Sequence, residues 1–219
     1  MTSPGSSARS STTTPSQLIA ILRGLTTADA KDVGECLYEA GFRSLEVPLN
    51  SPEPLATIRV LRDLLPADCL VGAGTVLTVD QVAQCADAGA QTIVSPNTDT
   101  AVIAETVRLG MESYPGAATP SEAFAAIGAG ARNVKLFPAE QVGTAGLKAW
   151  TAVVPQHIGL LPVGGVTASN IAAWLAAGAT GFGIGSSLYR PGITVEDLRP
   201  RADAIFTAWE TALSTRKSA

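Results

Sequence analysis

"YEAGFRSLEVPLN", residues 38–50, passes from a helical end through a glycine into an alternating apolar run. Gly41 reads as a helix C-cap, where a residue without Cβ closes the last turn. "SLEVPLN" then reads as a strand. The same join recurs three times, in "DAGA" at 87–90, "GAGA" at 128–131 and "AAGAT" at 176–180, each ending an Ala-rich helical segment and feeding a short apolar run. The glycines 41, 89, 130 and 178 are spaced by 48, 41 and 48 residues, which is a repeat of two strand-helix units.

Outward from these joins the whole chain alternates. The strand candidates are "LIAILRG", "SLEVPLN", "CLVGAGTV", "TIVSPN", "ESYPG", "NVKLFP", "LLPVGGV" and "GFGIGSSL". Helix candidates lie near 27–40, 53–65, 79–88, 99–109, 119–129, 143–153, 168–177 and 194–213, several opened by Thr, Ser or Asp followed by an acidic residue or Gln. Eight consecutive strand-helix units with little added sequence fit a parallel barrel better than an open doubly wound sheet, because closure uses eight strands and leaves no edge. An open sheet would want a glycine-rich turn after its first strand, and "LRGLTTAD" supplies one glycine. The sequence therefore predicts an α/β fold, a (β/α)8 TIM barrel forming a single domain over residues 17–219. Residues 1–16, "MTSPGSSARSSTTTPS", lack the apolar core of a secretory signal and read as a disordered tail.

Composition narrows the function classes. Hydrophobic residues make up 46% and charged residues 16% of the chain, yet no apolar run is long enough to span a bilayer, so no membrane partner is expected. The net charge of −4 with scattered Lys and Arg offers no field for nucleic acid. Cys36, Cys69 and Cys85 show no metal-ligand spacing and sit in apolar surroundings, which fits reduced buried thiols in a cytoplasmic protein. His157 is the single histidine, and neither a zinc site nor a catalytic triad can be assembled around it.

A barrel places its chemistry at the C-terminal strand ends. Those ends offer Arg23, Glu46 with Asn50, Thr75, Asn97, Lys135 with Phe137, Gly164 with Gly165, and Gly185 with Ser186. Lys135 interrupts an apolar strand, so its ammonium must find a partner, lose its proton or sit beside a cavity. Glu46, Pro48 and Asn50 share one face of the second strand, and Lys135 and Phe137 one face of the sixth. If both faces point inward, Glu46 and Lys135 meet at the barrel mouth, either as a buried salt bridge or as a reactive pair. Their company of an arginine, a threonine and two glycine turns at one rim favours the second reading. "VGGV" and "GIGSS" end the seventh and eighth strands, where backbone N–H groups commonly hold phosphate.

Taken together, "LIAILRG", "LEVPLNSPEP", "VGAGTVL", "SPN", "YPGAATPSEAF", "VKLFPAE", "LPVGGVT" and "GIGSSLYRPG" resemble the class I aldolases that cleave 2-keto-3-deoxy-6-phospho sugar acids, the KDPG/KHG group. The resemblance runs in consistent order from about residue 17 to near the C-terminus and is strongest to the galactonate-cleaving branch. It implies Lys135 as the Schiff-base lysine, Glu46 as general acid/base, and Arg23 and Thr75 as contacts to the substrate's carboxylate end or chain. Gly164, Gly165, Gly185 and Ser186 would bind phosphate, and Asn50, Phe137 and Val163 are the remaining candidate substrate contacts. Pyruvate and glyceraldehyde 3-phosphate would be the products, with no metal or other cofactor and a homotrimeric assembly. Asn50 and Val163 stand where gluconate-cleaving relatives usually carry arginine and threonine, which implies a galactonate preference; the gluconate epimer is the alternative. A phosphate-binding isomerase or transferase barrel is the more distant one, and it has no need of a lysine in "VKLFP".

Overall fold

The computed structural model describes residues 18–217; the expected tail, residues 1–16, lies outside them. Strands and helices alternate as β1 (Leu18–Ile21), α1 (Ala30–Glu39), β2 (Ser44–Pro48), α2 (Pro54–Leu64), β3 (Leu70–Gly74), α3 (Val79–Asp87), β4 (Thr92–Val94), α4 (Thr100–Arg108), β5 (Glu112–Tyr114), β6 (Gly116–Ala117), α5 (Pro120–Gly128), β7 (Asn133–Leu136), α6 (Ala139–Trp150), β8 (Gly159–Pro162), α7 (Ile171–Ala176), β9 (Phe182–Ile184) and α8 (Val195–Lys217). All strand pairs are parallel.

Two ladders result, β5-β4-β3-β2-β1-β9 and β6-β7-β8. The first and last strands pair, Leu18 with Phe182 through Ala20 with Ile184, so the sheet curls on itself as in TIM-barrel-like folds. The expected fifth strand is split at Pro115, which has no N–H to donate. On one side of it Ser95 N donates to Tyr114 O at 3.1 Å, and Pro115's own carbonyl accepts from Lys135 N at 2.9 Å. The chain thus leaves β4 and takes up β7 within a few residues.

The repeat of glycine joins has a clear physical basis. Gly41, Gly89, Gly130 and Gly178 all lie at positive φ, between +86° and +111°. After each, the following N–H reaches five residues back, as in Phe42 N to Leu37 O and Ala90 N to Cys85 O, closing the helix end. Gly110, at φ +77°, does the same after α4, a fifth instance not seen in the sequence pattern. Helix starts follow the expected chemistry, with Thr78, Asp99 and Thr119 capping α3, α4 and α5, the last in a full capping box with Glu122. Among the helices, differences from expectation are confined to boundaries. The sixth helix begins at Ala139 and breaks at Gly143 (φ +67°), and the eighth runs on to Lys217.

Packing divides into two layers. The larger core lies between strands and helices and holds Leu18, Phe42, Leu45, Val134 and Phe182 among many others. A second, separate cluster of Ile19, Val94, Tyr114 and Leu161 fills the space enclosed by the curled sheet. Ile19, Val94 and Leu161 alternate along their strands with members of the outer core, as a pleated sheet buried on both sides requires. Cys36, Cys69 and Cys85 are buried free thiols, the last two pushed up to about 11 and about 12 by burial. Among the described residues no helix is long and apolar enough to cross a membrane.

Candidate active site

Glu46 on β2 and Lys135 on β7 point into the enclosed space and line one cavity, together with Val163, Gly183 and the inner apolar cluster. Glu46 is 2% and Lys135 8% exposed. Among the described residues the four ion pairs all lie on the outer surface and include neither side chain. The salt-bridge reading of the pair is therefore not what the geometry forms.

Burial shifts both groups toward neutrality. The Glu46 carboxyl is raised to about 7, chiefly by desolvation, with Lys135 and then Arg23 opposing. Desolvation likewise lowers the Lys135 ammonium; Glu46 pulls it back up and Arg23 adds to the lowering. Lys135 Nζ sits 4.6 Å from the centroid of the Phe137 ring, which gives it an apolar shelf. An amine lowered by its surroundings is available as a nucleophile, and a carboxyl raised toward neutral pH can both give and take a proton.

The other expected residues ring this pair. Arg23 and Asn50 are exposed at the rim, with Arg23 Nη1 donating to Asn50 Oδ1 at 2.5 Å. Thr75 follows β3 at φ +57°, a left-handed conformation that is strained for a β-branched residue and tends to occur where a side chain is aimed at a ligand. Gly164 and Gly165 lie at φ +107° and +62° after β8, a turn that two residues carrying Cβ would adopt only under strain. Gly185 and Ser186 follow β9, with Ser186 exposed at the same rim. The two turns are tied by Ser187 Oγ donating to Val166 O at 2.7 Å. Asn97, further along after β4, is exposed and lies outside the cavity lined by Glu46 and Lys135.

Three features escaped the sequence reading. A Cβ at Gly74 would overlap the Glu46 carboxylate, so this glycine makes the room that the acid occupies. The signal was the alternation of Gly72 and Gly74 on one face of "VGAG", which packing alone could also explain. Glu140, in the first turn of α6, lies against Gly164 and Gly165, where a Cβ would strike its side chain. An acid beside an expected phosphate turn has no signature in sequence. Tyr114 lines the inner cavity with its hydroxyl donating to Glu112 Oε2 at 2.6 Å; its place depended on how the split fifth strand crosses between ladders. Lys148 stands exposed in the last turn of α6.

A curled parallel α/β sheet enclosing one lysine and one carboxyl places the chain among TIM-barrel-like proteins, and comparison with known proteins gives its family. The family model described as "Aldolase: KDPG and KHG aldolase" matches residues 10–201. A protein of Rhizobium meliloti named as a probable 2-dehydro-3-deoxy-6-phosphogalactonate aldolase is 47% identical, covering 88% of this chain and 91% of its own. The 2-dehydro-3-deoxy-6-phosphogalactonate aldolase of Escherichia coli is 44% identical, with 90% and 96% covered. A solved structure described as native KDPGal superposes with a TM-score of 0.88 at 44% identity, over 90% of this chain and 96% of that one. The chain belongs to the KDPG and KHG aldolase family, and it is a carbon–carbon lyase.

Proposed function

We propose that this aldolase cleaves 2-dehydro-3-deoxy-6-phosphogalactonate to pyruvate and glyceraldehyde 3-phosphate through a Schiff base on Lys135. The observation that carries this reading is the burial of Lys135 and Glu46 in one apolar cavity without an ion pair between them. The neutral Lys135 amine adds to the ketone at the second carbon, and loss of water gives an iminium. Glu46 takes the proton from the hydroxyl on the fourth carbon. The bond between the third and fourth carbons then breaks, its electrons passing into the iminium to give an enamine, while the aldehyde product leaves. Protonation of the enamine at the third carbon and hydrolysis release pyruvate and restore the amine. Arg23 and Thr75 hold the carboxylate end, and the turns at Gly164–Gly165 and Gly185–Ser186 receive the phosphate.

The names of the two relatives support the galactonate substrate, as do the short or apolar side chains at Asn50 and Val163. In the same reading the two ladders act as one closed (β/α)8 barrel, supported by the parallel bridge between Val163 and Gly183 across the seam. Exposed Leu77, Val79 and Phe124 supply apolar surface for the homotrimer that the family resemblance implies, and the buried free thiols suit a cytoplasmic setting.

Incubation with pyruvate and borohydride tests the mechanism. A reduced adduct on Lys135, located by peptide mass spectrometry, is the expected result; modification confined to another lysine, or none with active enzyme, removes the Schiff-base reading. Because the iminium is the electron sink, activity also survives exhaustive treatment with EDTA. A loss restored by added zinc or magnesium would contradict it.

A further inference from the structure

Glu140 takes no part in the chemistry on Lys135, yet its carboxyl lies against one of the two turns assigned to the phosphate. It stands exposed in the first turn of α6, and among the described residues it enters no ion pair. A Cβ at Gly164 would overlap Glu140 Oε2, and one at Gly165 would stand 2.9 Å from Oε1. Adding one carbon–carbon bond puts Oε1 within about 4.4 Å of the Gly165 Cα. An acid in the first turn of a helix is ordinary, because it meets the positive end of the helix dipole. That role does not require the carboxyl to lie across two left-handed glycines of another loop.

The turns themselves offer donors to an anion. The N–H groups of Gly165 and Ser186 meet no acceptor among the described residues, and residues 163–170, "VGGVTASN", carry no charge. The other charged groups at this end of the molecule are Arg190, whose Nε donates to Ser186 O at 3.2 Å, Arg23 at the rim, and Lys135 and Glu46 inside the cavity. Lys148, on the same helix as Glu140, stands in its last turn. A phosphate oxygen bonded to the Gly165 N–H is about 6 to 8 Å from the Glu140 carboxylate. That is within the Debye length of about 10 Å at 0.1 M salt, so the two charges feel each other.

We propose that Glu140 is a specificity-determining residue at the phosphate end: its carboxylate lowers the affinity of the two turns for a doubly charged phosphate more than for a singly charged one. The inference rests on the reading that the turns at Gly164–Gly165 and Gly185–Ser186 hold the phosphate. A phosphate monoester loses its second proton near pH 6, so at neutral pH it carries close to two charges and meets about twice the repulsion of the monoanion. The backbone donors bind the group, and the acid limits how firmly. A phosphorylated product is thereby released more readily than the donors alone would allow.

The test titrates wild type, Glu140→Gln and Glu140→Asp with inorganic phosphate at about pH 5.5 and about pH 8, on either side of the second phosphate ionisation. The amide signals of Gly165 and Ser186, followed by nitrogen-15 NMR, give both the place of binding and the affinity without turnover. Glu140→Gln keeps the shape and removes the charge; it is expected to bind phosphate about fivefold more tightly than wild type at the higher pH and about twofold at the lower. Glu140→Asp, which keeps the charge, stays near wild type at both. Glu46, raised to about 7, titrates in all three proteins, so the ratio between them isolates position 140. The proposal is overturned if wild type and Glu140→Gln bind equally at the higher pH, if the gain is the same at both, or if Glu140→Asp shares it, which would make the effect one of packing on the turn. Each of those results leaves the phosphate at the turns. If the Gly165 and Ser186 signals stay fixed in the wild type at saturating phosphate, the placement of the phosphate itself fails, and the proposal falls with it. Should Glu140→Gln not fold, Glu140→Ala decides on the same criteria.

Discussion

At the scale of single residues, Val163 bears most directly on which epimer is cleaved. It lines the cavity with Glu46 and Lys135 and is 8% exposed. Its methyls offer no hydrogen bond to a substrate hydroxyl placed against them, so such a hydroxyl loses its water without replacement, at about 1 to 3 kcal/mol. That corresponds to roughly one or two factors of ten in kcat/KM. The galactonate epimer is accordingly expected to be preferred, and Val163→Thr, which keeps the volume and adds a hydroxyl, is expected to narrow or reverse the ratio. Kinetics on both epimers with both proteins measure it; a wild-type preference for the gluconate form would contradict the substrate assignment and leave the Schiff-base chemistry untouched.

Among the elements, β3 decides how the acid is held. Strand β2 carries Glu46, but the space for its carboxyl is provided by the neighbouring strand, where Gly74 has no side chain to fill it. Gly74→Ala forces the carboxylate aside, and a displacement of about 1 Å at a reacting group costs about 100-fold in rate. The expected outcome is a fall of that size in kcat with the pyruvate adduct on Lys135 still trapped by borohydride, because the lysine lies across the cavity on β7. Equal loss of cleavage and trapping would place the damage in the fold instead. This dependence was only half legible in "VGAG". Alternation showed that both glycines share a face, but not that the face opposes Glu46, since that follows from the register of two strands.

The molecule as a whole carries the cost of burying an ionisable pair. Glu46 has its folded-state value raised from 4.5 to about 7, so the folded state binds the proton more tightly than the unfolded chain. Its contribution is fully present below the unfolded value and is lost as pH rises through 4.5 to about 7. The difference is on the order of 3 kcal/mol. Thermal stability is therefore expected to decline across that window in the wild type, and Glu46→Gln to flatten the decline, as calorimetry at several pH values would show. Lys135, displaced downward, acts in the opposite sense at higher pH. A Glu46→Gln protein with the wild-type slope would assign the loss to other groups.

Much of this architecture was written in local chemistry. Left-handed glycines at helix ends, capping residues at helix starts and period-two apolar runs each act within a few residues, so their order along the chain was readable and gave the alternation of strands and helices. The family motifs likewise named Lys135 and Glu46. What the linear chain could not contain was distance across the sheet. The split at Pro115, the Glu140 side chain against Gly164 and Gly165, the room that Gly74 leaves for Glu46, and the absence of an ion pair between Glu46 and Lys135 all depend on register and curvature. Those are set by how the packed layers close on one another, and burial in that closed interior is what turns an ordinary lysine and an ordinary glutamate into groups of shifted proton affinity.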